Sequence, residues 1–348
     1  MPDSRITFGR IQSAFRSIIR NEHLLLVALA LVIGCLSGAA VIALREAIEA
    51  IELFWFSVTT DMLSRYEIEV PAWRLVLAPI IGGLAVGLIT WKFMPNERNQ
   101  GVADVIEASA MKAGQMSSRV GLVSAINSAI SLGSGASVGR EGPAVHLGAS
   151  LAGWIGRRLH LSRSLARTLL GCGVAAAVSA SFNAPIAGAL FATEVVVGQY
   201  ALKTFAPVVV ASVAGTALSH IHFGEVSAFL LGDNHISSFW EFPAFIGLGI
   251  VSAVAAIVLM QSIFAAQHLS NRVKAPLWMK PAMAGLIVGI IAIWLPQVMG
   301  VGYGFVEWAI LGQFEIKLLI MIGIAKIICT ALCLGFGLCW MLRCLSRD

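Results

Sequence analysis

The stretch Gly133–Gly148 reads GSGASVGREGPAVHLG. Arg140 and Glu141 stand side by side between glycines, directly before Gly142 and Pro143. Proline is favoured in the first turn of a helix, where its missing N–H costs nothing. The run Glu141-Gly142-Pro143 therefore predicts a helix start, and AVHLGASLAGWIG continues it for about four turns. A helix N-terminus offers unpaired N–H groups and the positive end of the macrodipole, and together these attract anions. Gly133, Gly135, Gly139 and Gly142 would let the main chain come close to a bound ion. An ionised Glu141 would compete with a mobile anion for the same N–H groups, and protonation would end the competition. The predicted chemistry is reversible anion binding gated by Glu141. The plainer alternative is a salt bridge from Glu141 to Arg140 or a nearby group.

Other polar residues are weaker candidates. In SFNAPIAGALFATE the chain breaks at Asn183, restarts a helix near Pro185 and reaches Glu194, which reads first as a helix cap or interfacial anchor. In NERNQGVADVIEAS, Gln100 and Gly101 precede a short helix bearing Asp104 and Glu107, either a surface loop or a second helix end aimed at a cavity. His146 follows Pro143, but a lone histidine among apolar helices is more often a packing residue. Cys329 and Cys333 share a helix face with no histidine or carboxylate beside them, so neither a metal site nor a disulfide framework is expected. No nucleophile–base pair or nucleotide motif suggests an enzyme or a cofactor.

The elements that must carry these residues are membrane helices. Of 348 residues, 58% are hydrophobic and only 12% charged, about half the charged fraction of a soluble domain. Apolar runs at His23–Ala43, Trp73–Phe93, Val174–Val197 (with an interruption), Phe205–Leu218, Phe242–Met260, Pro281–Leu295 and Ile316–Leu334 predict a polytopic membrane protein. The net charge of +5 does not indicate nucleic acid. Arg5, Arg10, Arg16 and Arg20 precede the first span and predict a cytoplasmic N-terminus. Arg157, Arg158, Arg163 and Arg167 mark a second candidate cytoplasmic loop. The long first apolar run and its long leader argue against a cleaved signal peptide.

The chain resembles itself at an offset of about 202 residues, GLAVGLITWKFMP from Gly83 matching GLIVGIIAIWLP from Gly285. Gly101 then meets Gly302, and Leu132–Gly135 meets Leu334–Gly337. Repeated halves are a hallmark of transporters whose sites lie where helices break near the midplane. Glycine spacings such as Gly34–Gly38, Gly83–Gly87 and Gly285–Gly289 also suit close helix packing. The counterpart of Arg140–Pro143 would fall near Arg343, just where the sequence ends.

With GREGP at Gly139–Pro143, FNAPIAGALFATEVV at Phe182–Val196 and the repeat, the chain resembles the CLC family of chloride channels and proton-coupled chloride antiporters. The likeness runs from about Leu24 to Gly337. It implies an all-α inverted-repeat membrane fold, a homodimer with one anion pore per subunit, and Glu141 as the external gating glutamate. It also implies anion contacts from Gly139, Arg140, Gly142, Pro143, Gln100 and Gly101. There are departures from the family pattern. The family's Gly-Ser-Gly-Ile-Pro segment appears as NQGVA, so Gln100 replaces the pore serine. Val195 stands where antiporters carry their internal proton-path glutamate, as in the family's channels. The family's G-x-F-x-P helix start and later pore tyrosine are missing. Leu338-Cys339-Trp340 can be encoded so that a neighbouring frame reads Phe-Ala-Gly, which leads to the expectation of a frameshift or truncation, to be checked in the downstream DNA.

The expected organisation is a cytoplasmic segment 1–22, a first membrane repeat 23–220 and an incomplete second repeat 221–348. The expected function is channel-like chloride conduction gated by Glu141 in the cell (inner) membrane. The alternatives are proton-coupled exchange by another proton path and a non-conducting remnant. The expected partners are chloride, the lipid bilayer and a second copy of the chain.

Overall fold

The computed structural model describes residues 22–63, 70–95, 98–198, 201–224, 239 and 241–339. The expected cytoplasmic N-terminal segment, with its four arginines, and the C-terminal residues from Trp340 onward lie outside them. Every regular element among the described residues is helical. In chain order they are α1 (Glu22–Phe56), α2 (Thr60–Leu63), α3 (Ala72–Phe93), α4 (Val102–Met111) and α5 (Ser118–Gly133). Then follow α6 (Glu141–Arg158), α7 (Arg163–Phe182), α8 (Pro185–Phe191) with a wider turn over Ala192–Val197, and α9 (Leu202–Phe223). The last are α10 (Glu241–Arg272), α11 (Lys280–Trp294), α12 (Tyr303–Ile310) and α13 (Ile316–Gly335).

Among the described residues, seven helices are long and apolar enough to cross a bilayer. They follow the apolar runs with one correction. The run Val174–Val197 is not one interrupted span: the spanning helix is α7, which begins at Arg163 and ends at Phe182. Asn183 closes it in the left-handed region (φ 56°), a conformation asparagine tolerates better than most residues. Pro185 then opens α8 as a separate short helix. The arginine cluster brackets the short connection 159–162: Arg157 and Arg158 lie in the last turn of α6, and Arg163 and Arg167 in the first turns of α7. Arg157 donates to the Met116 carbonyl. Arg167 donates to Ser109 Oγ at 3.2 Å and to the Val197 carbonyl at 2.7 Å.

Two compact units interleave along the chain. The described residues of the first fall within 22–43, 101–122 and 143–224. Its core is a stack of small residues. Gly34 of α1 faces Ala211 of α9, Gly38 faces Gly215, and Gly215 in turn faces Ala176 of α7. Gly148 of α6 and Gly173 of α7 press against each other's carbonyls. Such close approach is how membrane helices gain packing energy without a hydrophobic drive between them.

The described residues of the second unit fall within 44–100, 123–142 and 239–339. Here α3 and α11 cross. A Cβ on Gly83 would strike Ala282, one on Gly87 Trp278, one on Gly285 Pro79, and one on Gly289 Val76. The residue numbers rise on one helix as they fall on the other, so the helices run antiparallel. Adding about 202 to Gly83 gives Gly285, and subtracting it from Ala282 gives Ile80, beside the Pro79 that Gly285 meets. The repeat offset therefore maps the contact onto itself, as a two-fold axis would. The repeat and the close-packing readings of these glycines hold together.

Substitution at this crossing has a defined expectation. Gly285→Val drives a side chain into the Pro79 main chain, which cannot yield as a flexible side chain would. Overpacking costs about 1–3 kcal/mol or more. Gly247→Val on α10, where a Cβ meets nothing within 4 Å, is the control. The unfolding temperature in detergent should fall sharply for the first and little for the second.

Candidate functional site

Helix α6 opens at Glu141, and Pro143 is its third residue, within the first turn as the sequence predicts. Gly139 is exposed, Arg140, Glu141 and Gly142 are half-buried, and Pro143 is buried. The glycines before this start do two different jobs. Gly133 packs against Ile51, and Gly135, with φ 89°, packs against Met299 and Phe56. These two serve helix packing, so their expected role in admitting an ion is corrected. Gly139 faces the Glu141 carboxylate: a Cβ there would collide with Oε2.

The Glu141 side chain is held by a residue that sequence reasoning missed. Tyr303, at the start of α12, donates its hydroxyl to Glu141 Oε1 at 3.1 Å. The Arg140 guanidinium lies over the same tyrosine ring, 5.0 Å from its centroid. Among the described residues no ion pair joins Arg140 to Glu141; in place of the alternative salt bridge between them, Arg140 makes a cation–π contact. Burial, with the Glu141 carboxylate nearby, pushes the Tyr303 phenol up to about 12. The phenol therefore keeps its proton and remains a donor at neutral pH.

Tyr303 has its own supports. Gly302 precedes α12 in the left-handed region (φ 97°). The Gly304 N–H donates to Asp61 Oδ1 at 3.1 Å. Lys326 of α13 donates to the carbonyls of Val298 (3.0 Å) and Gly300 (2.7 Å), fastening the loop before Tyr303. Gly300 packs on Thr60, whose hydroxyl donates to Glu52 at 2.7 Å and whose N–H donates to the same carboxylate at 3.2 Å. The signal that could have found Tyr303 is in the sequence. It is one of only three tyrosines, it sits between glycines, and it follows the repeat counterpart of Gly101.

The other candidates fall as follows. Gly101 caps α4, and its N–H is taken by Asp104 Oδ2 at 2.9 Å. The Gln100 carbonyl accepts from Ser124 Oγ at 3.0 Å. A buried polar knot flanks it: Asn127 Nδ2 donates to Asn99 Oδ1 (2.6 Å) and to Thr90 Oγ1 (2.9 Å). Glu194 and Val195 lie in the wider turn after α8, and both are exposed. His146 is fully buried in the first unit, and Cys329 and Cys333 are buried thiols on α13.

The Voltage gated chloride channel family model matches residues 82–339. The chain belongs to this family. Relatives of the CLC type extend the match. The ClcB-like chloride channel protein of Ralstonia nicotianae is 32% identical over 316 residues, covering 90% of this chain and 73% of the relative. The voltage-gated ClC-type chloride channel ClcB of Salmonella typhimurium is 31% identical over 316 residues, covering 89% and 74%. Among solved structures, the chain resembles a slow cyanobacterial Cl−/H+ antiporter with TM-score 0.77 and 23% identity, covering 91% of this chain and 75% of that one. A CLC-type fluoride/proton antiporter matches with TM-score 0.73 and 22% identity, covering 91% and 76%. These structural matches concern the fold. The chain is thus an all-helical, multi-pass integral membrane protein of the CLC family and not an enzyme.

Proposed function

We propose that the chain carries chloride by passive, channel-like conduction gated by Glu141. The observation that supports it most is a half-buried carboxylate on the first residue of an 18-residue helix. That helix end attracts anions through its free N–H groups and dipole, and a carboxylate placed there is their natural competitor. Arg140 adds positive charge to the same short segment. Gly139 and Gly142 supply main chain unencumbered by side chains, and Pro143 sets the first turn of the helix. The channel-like part of the reading rests on Val195, which has no group that can carry a proton. Family membership also suggests a homodimer with a pore in each subunit.

The test is reconstitution of the chain into chloride-loaded liposomes, with chloride and pH electrodes in one chamber. Chloride efflux that speeds up at acid pH is the expected result. Absence of efflux at every pH would favour the non-conducting reading.

A further inference from the structure

We propose that Tyr303 is a docking station that holds the Glu141 carboxylate off the α6 terminus, and that Gly139 is kept small to make room for it there. The inference deepens the gate reading and rests on it. A gate of this kind needs somewhere to go when it leaves the helix end. In this structure the carboxylate is folded back over Gly139 and bonded to the Tyr303 hydroxyl. A phenol suits the task because it can donate to an ionised carboxylate and accept from a protonated one. Arg140 lies over the ring of the same tyrosine.

The station is built rather than incidental. Asp61 holds Gly304, Lys326 ties down the loop at Val298 and Gly300, and Glu52 secures Thr60 beneath Gly300. The charged groups around it come from several elements. Arg45, Glu46, Glu49 and Glu52 are on α1, Asp61 on α2, Arg140 precedes α6, and Lys326 is on α13. None of these lies between the hydroxyl and the Glu141 oxygen it touches.

Ionised Glu141 then divides its time between the helix end, where it blocks, and Tyr303, where it does not. Tyr303→Phe removes the hydroxyl alone. One hydrogen bond to a charged group corresponds to a shift of roughly tenfold in that division. At neutral pH, chloride affinity by calorimetry in detergent, and efflux from liposomes, should each fall several-fold. At acid pH the variant should approach the wild type, because protonated Glu141 does not compete. Gly139→Ala should produce the same phenotype by an unrelated route, since its methyl occupies the place of Oε2. In a Glu141→Gln background, Tyr303→Phe should change neither affinity nor the pH profile.

Calorimetry reads the effect whether or not the chain conducts, and either variant tests the proposal if the other fails to fold. A pH profile and neutral affinity unchanged in Tyr303→Phe or Gly139→Ala would overturn the station. An equal loss in the Glu141→Gln background would show that Tyr303 is merely structural, and would overturn it too. A wild-type chain that binds no chloride, or a Glu141→Gln variant that keeps full pH dependence, would remove the gate reading itself and the station with it.

Discussion

Glu141→Gln should make chloride efflux nearly independent of pH. The glutamine side chain has almost the shape of a protonated glutamate and never ionises. It cannot compete as an anion for the N–H groups at the start of α6. Under the proposed gate, ionised Glu141 blocks and protonation frees the path, so wild-type efflux should rise as pH falls. Wild-type efflux should therefore be faster at acid than at neutral pH, and the variant's should be nearly the same at both. The absolute rate at neutral pH should rise, because the substitution opens the path rather than removing a wall. Efflux that keeps its full pH dependence would place the titrating group elsewhere. A rate that falls to background would mean that Glu141 supports the structure around Tyr303 rather than gating it.

The start of α6 was legible because its cause is local. A proline two residues after a glutamate, preceded by glycines, specifies a helix terminus whatever packs around it. The α3–α11 crossing was legible for a similar reason, since the glycines that allow close approach are also the marks of the repeat. What failed was the reading of residues whose job depends on distant partners. Gly133 and Gly135 look like neighbours of an ion site but pack on Ile51, Met299 and Phe56. Tyr303 lies 162 residues from Glu141, and only the folded chain brings the pair together. The span at Val174–Val197 failed because hydropathy counted apolar residues through Asn183, whose left-handed backbone ends the helix, and discounted Arg163 and Arg167, which begin it. Arg167 is tolerated on α7 because its guanidinium is satisfied by Ser109 and Val197.

Chloride should run down its gradient through the reconstituted chain without moving protons in fixed proportion. Moving a proton through a membrane protein needs titratable side chains or a water chain, and Val195 supplies neither donor nor acceptor. The neighbouring Glu194 is the only carboxylate in Ala192–Val197. An α-helix would turn it about 100° away from Val195. The observed turn is wider, and both side chains are exposed. Glu194 is therefore the group against which the claim must be tested. The measurement is a chloride gradient across liposomes, with a pH electrode in a weakly buffered bath. Dissipation of the gradient with the bath pH unmoved is the expected outcome. Sustained uphill proton movement, collapsed by an uncoupler, would overturn the channel reading. Repeating that measurement on Glu194→Gln would then decide where the proton travels. Loss of proton movement with chloride efflux intact would assign the path to Glu194, whereas retention would assign it to a water chain past Val195.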